Sequence, residues 1–241
     1  KSKKESIDWI NFCNSLTDKI FQPTIKPLKK NVNTFFFHAY NPNWEINNNN
    51  KKKYGMCYVG NNWYRWNPMY KVLKEIKKNK GDVGNISITG HGWDRPAPWA
   101  SRDTPKEAYQ YDYKFIKSLD VDVFPPIKFS KVIKQMNKGV FNPVIYRPLF
   151  DKLNFVTCRT YETFAANTIP LFTYKNKSHL SIYGRNETDA LLLGKNPKNK
   201  ILDVMKNQEK YIKIVKNVRD KLKNNHSHDI RLKELINIIN S

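Results

Sequence analysis

An arginine and a glutamate stand three residues apart in "VTCRTYETFAANTIPLF" (156–172), as Arg159 and Glu162. The run around them predicts a short helix over 159–167 that feeds an apolar strand over 168–172. Residues three apart share one face of a helical turn. The free N–H groups and dipole of a helix N-terminus favour an anion, and Arg159 would add a full positive charge there. A carboxylate one turn on, at Glu162, can accept hydrogen bonds from two vicinal hydroxyls. A guanidinium followed by such a carboxylate can therefore grip a diphosphate and a ribose together. The same spacing also suits a plain surface ion pair, worth about 0.3–0.5 kcal/mol.

Other residues suit the same chemistry. In "YVGNNWYRW" (58–66) an apolar run ends at Gly60, where glycine permits a tight turn and close approach of backbone to a ligand. Arg65 follows it, with a planar fork matched to phosphate. In "VFPPIKFS" (123–130) a strand and a Pro turn lead to an apolar–basic pair, Ile127 and Lys128. His91, in "TGHGWD", follows a strand and faces the same expected cleft. No metal site is expected. "DVDVF" (120–124) has Asp-x-Asp spacing but reads as a strand, and "HSHD" (226–229) reads as a solvated helix boundary. Cys13, Cys57 and Cys158 lie far apart, which disfavours a disulfide framework or zinc site and suits a reducing, cytoplasmic compartment.

Elements that would position these residues follow from periodicity. A helix is expected over 5–22, then a Pro-punctuated aromatic stretch and a polar linker, "EINNNNKKK" (45–53). From Lys53 short strands alternate with helices. "YGMCYVG" (54–60), "NISITG" (85–90), "VDVFPP" (121–126), "VFNPVIY" (140–146), "TIPLF" (168–172) and "DALLLG" (189–194) read as strands. "NPMYKVLKEIKKNKG" (67–81) reads as a helix, with Met69, Val72, Leu73 and Ile76 on one face and Gly81 as its stop. "FSKVIKQMNKG" (129–139) reads as another, with Ser130 near its cap. A late helix has Tyr211, Val215, Val218 and Leu222 along one side. The alternation predicts an α/β, Rossmann-like parallel sheet with helices on both faces, and ligands beyond the carboxyl ends of its strands.

Composition limits the partners. With 241 residues, 39% hydrophobic and 13% aromatic, the chain can build a core. It carries 43 Lys+Arg against 21 Asp+Glu, a net charge of +22. Lys interleaved with Asn has two sources, an AT-rich coding bias and a polyanionic partner such as double-stranded DNA. No apolar run approaches the roughly 20 residues of a membrane helix, and no signal peptide is visible. The first residue is Lys, as in a fragment.

The order of these pieces from about Tyr54 to Ile239 resembles the C-terminal, nucleotide-sugar-binding domain of GT-B glycosyltransferases. It is most similar to the branches of the T-even phage DNA β-glucosyltransferases and the CgeB-type spore-maturation enzymes. "YVGNNWYRW" matches the family's strand, Gly turn and arginine, and "RTYETFA" (159–165) its R-x-x-E-x-x-A helix. The resemblance implies that Arg65 and Arg159 bind the diphosphate of a UDP-sugar, Glu162 the ribose hydroxyls, and Ile127 and Lys128 the base. His91 would touch the donor sugar or diphosphate, and a divalent cation (Mg or Mn) can accompany the donor. It also implies sugar transfer to an acceptor hydroxyl, with inversion. The acceptor would be a hydroxymethylated base in phage or viral DNA, or else a glycan or protein. The catalytic base belongs to the family's N-terminal domain. Residues 1–52 are too short for that domain, so it is either absent or supplied by another chain. The expected division is therefore 1–52, a helix and a Pro/Asn/Lys-rich connection, and 53–241, the nucleotide-sugar domain. A non-enzymatic nucleic-acid-binding protein, using Lys-rich surface and the aromatics of "NNWYRW" and "HGWDRPAPW", is the reading from a different class.

Overall fold

The structure, a computed structural model, describes residues 3–27, 30, 32–47, 51–101, 103–174 and 176–240. In chain order the elements are α1 (Lys3–Leu16), β1 (Phe21–Gln22), β2 (Asn33–Thr34), β3 (Tyr54–Val59), α2 (Trp66–Lys78), α3 (Lys80–Val83) and β4 (Ile86–Thr89). Then come α4 (Tyr113–Ser118), β5 (Val121–Phe124), α5 (Val132–Met136), β6 (Gly139–Val144), α6 (Pro148–Lys152) and α7 (Arg159–Ala165). The described chain closes with β7 (Ile169–Phe172), α8 (Lys177–Tyr183), α9 (Arg185–Leu191), α10 (Pro197–Lys206), α11 (Gln208–His226) and α12 (His228–Asn240).

β3 to β7 form one parallel sheet in the order β5-β4-β3-β6-β7, while β1 and β2 make a separate short ladder. The sheet is α/β and Rossmann-like, as the alternation predicts. A parallel sheet must be covered on both faces. Accordingly β3, β4, β6 and β7 are buried at every residue, and only the edge strand β5 alternates. The pleat sends successive side chains of β3 to opposite faces. Met56 and Tyr58 join a core with Met69, Val72, Leu73 and Ile76 of α2. Cys57 and Val59 join a second cluster with Val132 and Met136 of α5. Each fully buried side chain of this kind stabilises the fold by roughly 1.5–3 kcal/mol. Tyr211, Val215, Val218 and Leu222 are all buried on α11, which packs on α7 and α8.

The chain enters the sheet at β3, winds outward to β5, and returns to the other side of β3 as β6. The winding reverses between β3 and β6, where such sheets bind ligands. The β3–β6 register pairs Tyr54 with Gly139 and Met56 with Phe141. The carbonyl of Val59, at the end of β3, is taken by a side chain, the guanidinium of Arg159.

Several element boundaries differ from the sequence reading. "DALLLG" is not a strand: 189–191 complete α9, and only an isolated bridge joins Leu192 to Phe172. A short apolar run does not distinguish strand from buried helix, and here Thr188 and Leu191, three apart, bury one helical face. Gly81 does not stop α2. Asn79 ends it, donating its side-chain amide to the Glu75 carbonyl at 2.8 Å, and Gly84 at φ 75° closes the extra turn α3. α1 ends at Leu16, because 21–22 are drawn into β1. Ser130 caps nothing and lies in a 3-10 turn ahead of the short α5. Of the polar linker, residues 48–50 lie outside the described residues. Either side of them the chain is held, Ile46 N donating to Ala165 O at 2.9 Å and Lys52 Nζ to Asn167 O at 2.6 Å. No helix among the described residues is long and apolar enough to cross a membrane.

Candidate functional site

The turns after β3 and β4 touch through backbone. Gly60 N donates to Thr89 O at 2.8 Å, and Gly60 O accepts from Trp93 Nε1 at 2.8 Å. The steric demand falls on Gly90, which sequence reading passed over. At φ 143°, a Cβ there would lie 2.4 Å from Gly60 O. His91 is tied to the same turn, its N donating to Asn61 Oδ1 at 2.9 Å and its O accepting from Asn62 N at 2.8 Å. The ring of His91 stands edge-on to Trp99 at 5.7 Å.

Arg65, just ahead of α2, bridges the two halves of the sheet. Its Nε donates to Ile145 O at 3.1 Å beyond β6, and its Nη1 to Asn61 O at 2.8 Å beyond β3. Arg147, which the sequence reading missed, lies three residues past the end of β6, just ahead of α6. "VIYRPLF" holds the signal, an arginine at a strand's carboxyl end.

Arg159 opens α7, and its guanidinium crosses to β3. Nη2 donates to Val59 O at 2.8 Å, and Nη1 lies 2.9 Å from Met136 Sδ and 3.3 Å from Glu162 Oε2. Glu162 is only 3% exposed, and neither carboxylate oxygen has a hydrogen-bond partner. The pair is thus not the surface ion pair that its spacing also suits. A buried carboxylate with an ion-pair partner but no hydrogen bond is still costly, and each missing bond to it is worth more than a neutral one.

Glu162 lines a cavity of about 100 Å³ with His38, Tyr40, Trp44, Phe129 and Tyr161. Burial holds the His38 imidazole below its ordinary range, against the pull of Glu162. Burial, and then the same carboxylate, push the Cys158 thiol up. His38, Tyr40 and Trp44 come from the segment ahead of the sheet. Its Tyr40 N donates to His226 O at 2.8 Å and its Trp44 ring meets Phe129 edge-on at 6.0 Å. Sequence reading treated "FFFHAYNPNW" as punctuation and found none of these three.

Ile127 packs in the cluster that holds Val59 and Met136, the two residues that Arg159 also touches. Lys128 is exposed at the head of the 3-10 turn that carries Phe129. Gly60, Arg65, Ile127, Arg159 and Glu162 therefore surround the carboxyl end of β3, with His91 one strand away. His226 is half-buried, its imidazole lowered to about 4 by burial and by Arg231. Among the described residues no three His, Cys, Asp or Glu side chains gather as a metal site. Of the Asp-x-Asp pair, Asp122 accepts from Tyr54 Oη at 2.9 Å and Asp120 turns at φ 51°.

No family model matches the chain, and a search of curated proteins returns no match. Solved structures do match in fold. TarM of S. aureus, crystallised with fondaparinux, α-GlcNAc-glycerol and UDP, superposes with a TM-score of 0.68 at 13% identity, over 98% of this chain and 47% of its own. WaaG, a glycosyltransferase involved in lipopolysaccharide biosynthesis, gives 0.54 at 12% identity, over 90% and 61%. The DNA-modifying enzyme β-glucosyltransferase gives 0.50 at 14% identity, over 86% and 59%, and T4 phage BGT with UDP and Mn2+ gives 0.50 at 13%, over 86% and 55%. The chain thus has the fold of a GT-B glycosyltransferase half, and it spans less than two thirds of each of these proteins.

Proposed function

We propose that this chain is the donor-binding half of a glycosyltransferase that moves glucose from UDP-glucose to an acceptor hydroxyl, with inversion. The observation that carries the proposal is the buried Glu162 carboxylate, which accepts no hydrogen bond and lies beside Arg159, in the crevice where the sheet's winding reverses. Two vicinal ribose hydroxyls would satisfy its two oxygens. Arg159 and Arg65 would meet the diphosphate and stabilise the charge that grows on it as it leaves. Ile127 and Lys128 would border the base. TarM and T4 phage BGT, both solved with UDP, support the choice of nucleotide.

The acceptor and the catalytic base would come from a second Rossmann-like unit, in this polypeptide or another. That base would take the hydroxyl proton as the acceptor oxygen attacks the anomeric carbon. No step is assigned to a divalent cation, which would accompany the donor's phosphates. The net charge of +22 favours a hydroxymethylated base in DNA as acceptor, flipped out of the duplex to be reached. A glycan acceptor is the second reading, supported by the α-GlcNAc-glycerol in the TarM crystals.

Calorimetric titration of the chain with UDP and UDP-glucose tests the donor site. Binding of both would support it, and transfer assays on hydroxymethylated DNA and on glycans would then separate the acceptors. A folded chain that binds neither, but binds DNA with steep salt dependence, would point to the non-enzymatic reading instead.

A further inference from the structure

Two arginines stand close together at the carboxyl ends of β3 and β6, and Arg147 has no acidic partner among the described residues. Arg65 reaches Ile145 O, two residues before Arg147. The Arg147 guanidinium carbon lies 5.5 Å from the ring centres of both Trp63 and Phe150. Those rings fix the plane of its fork. Its Nε is buried with no hydrogen-bond partner. Burial and then the charge of Arg65 hold Arg147 below the ordinary arginine range, so the neighbourhood repels a cation. Tyr64, next to Arg65, adopts φ 56°, a left-handed backbone that non-glycine residues rarely take. A like-charged pair with an unsatisfied, half-buried donor is what an anion would relieve.

We propose that Arg147 and Arg65 together bind the distal phosphate of the donor, with Arg159 on the proximal one. The inference rests on the donor reading above. Arg159 holds the Val59 carbonyl and shares a helical turn with Glu162, which places its phosphate next to the ribose. Arg65 holds the Asn61 carbonyl, two residues further along the turn. On transfer the bond between the anomeric carbon and the distal phosphate's oxygen breaks. Its electron pair stays on that oxygen, the acceptor oxygen bonds the anomeric carbon, and the acceptor proton passes to the base of the second unit. Charge therefore grows on the phosphate that these two forks would meet. The pair would also select a nucleoside diphosphate over a monophosphate.

The test is calorimetry on the full chain with UDP, UMP and inorganic pyrophosphate, for the native protein and for Arg147→Gln and Arg147→Lys. Arg147→Gln is expected to weaken UDP and pyrophosphate about tenfold or more, the loss of one charge-assisted contact, and to leave UMP within about twofold. Arg147→Lys keeps the charge without the fork and should fall between. Equal weakening of UDP and UMP, or unchanged UDP binding in a variant with native circular dichroism, would overturn the clamp. Pyrophosphate binding that needs Arg147, in a chain that ignores UMP and gains nothing from the nucleoside of UDP, would keep the clamp and sink the donor reading. No binding of any of the three by the native chain would overturn both.

Discussion

The Arg159 guanidinium stands 3.3 Å from the Glu162 carboxylate within one turn of α7, yet that carboxylate accepts no hydrogen bond. One arm of the arginine is spent elsewhere, on the Val59 carbonyl at 2.8 Å, so the ion pair leaves both carboxylate oxygens without a hydrogen bond. The proposed ribose hydroxyls would satisfy them.

Glu162→Ala is expected to weaken UDP binding about 10- to 100-fold, the range for losing one or two hydrogen bonds to a charged group. Against 2′-deoxy-UDP the native chain should bind less tightly than against UDP. The variant should hardly distinguish the two. Calorimetry with both nucleotides checks this, and an unchanged preference for the ribose in the variant would remove Glu162 from the hydroxyl site.

Arg159→Met should weaken UDP by about tenfold or more and also destabilise the chain, because the Val59 carbonyl then loses its donor inside the protein. The expected loss is about 1–3 kcal/mol, or roughly 2–10 °C in Tm for a chain of this size. Arg159→Lys should recover part of the affinity and little of the stability, since one ammonium cannot span carbonyl and phosphate together. Thermal melts with and without UDP separate the two effects.

Gly90→Ala should lower Tm, by an amount consistent with about 1–3 kcal/mol of backbone strain. The new Cβ meets the Gly60 carbonyl at 2.4 Å, and the φ of 143° is poor for alanine. Displacing Gly60 also shifts the turn that carries Arg65, so UDP affinity should fall with stability. Gly81→Ala is the control: a Cβ there has nothing within 4 Å, and its Tm should hold or rise.

The chain should lose stability as pH falls from about 6.5 toward 4. His179 is buried against Phe172 and Tyr183, and desolvation lowers its imidazole to about 3, while His226 is lowered to about 4. The sign follows from proton counting. Below the ordinary value of 6.5 the unfolded chain binds protons that the folded chain refuses, so acid favours unfolding. Stability from these groups is complete above pH 6.5 and drains as pH falls through the window. For His179 the slope approaches about 1.4 kcal/mol per pH unit. Denaturant melts at pH 7, 6 and 5 check it, and His179→Phe should flatten the slope.

The sequence by itself determined the architecture and most of the chemistry's residue types. Apolar runs at 54–59, 86–89 and 169–172, and the face formed by Met69, Val72, Leu73 and Ile76, can be buried in few ways, and periodicity reads out which. The spacing of Arg159 and Glu162 was legible because three residues on a helix is a fixed geometry. Local pattern failed where the partner is distant in the chain. "DAL" became the end of a helix because Thr188 and Leu191 found a face to bury, and Gly90 matters only because Gly60 comes to lie against it.

Only the tertiary structure decided what kind of pair Arg159 and Glu162 make. Burial is a property of everything packed around a residue, and here it includes His38, Tyr40 and Trp44, more than a hundred residues earlier in the chain. The same holds for Arg147, an ordinary arginine in "YRP" until β6 is laid beside β3 and the charge of Arg65 bears on it. Spacing along one helix is written in the sequence. Which charges end up facing each other without a counterion is settled by the order in which strands enter the sheet.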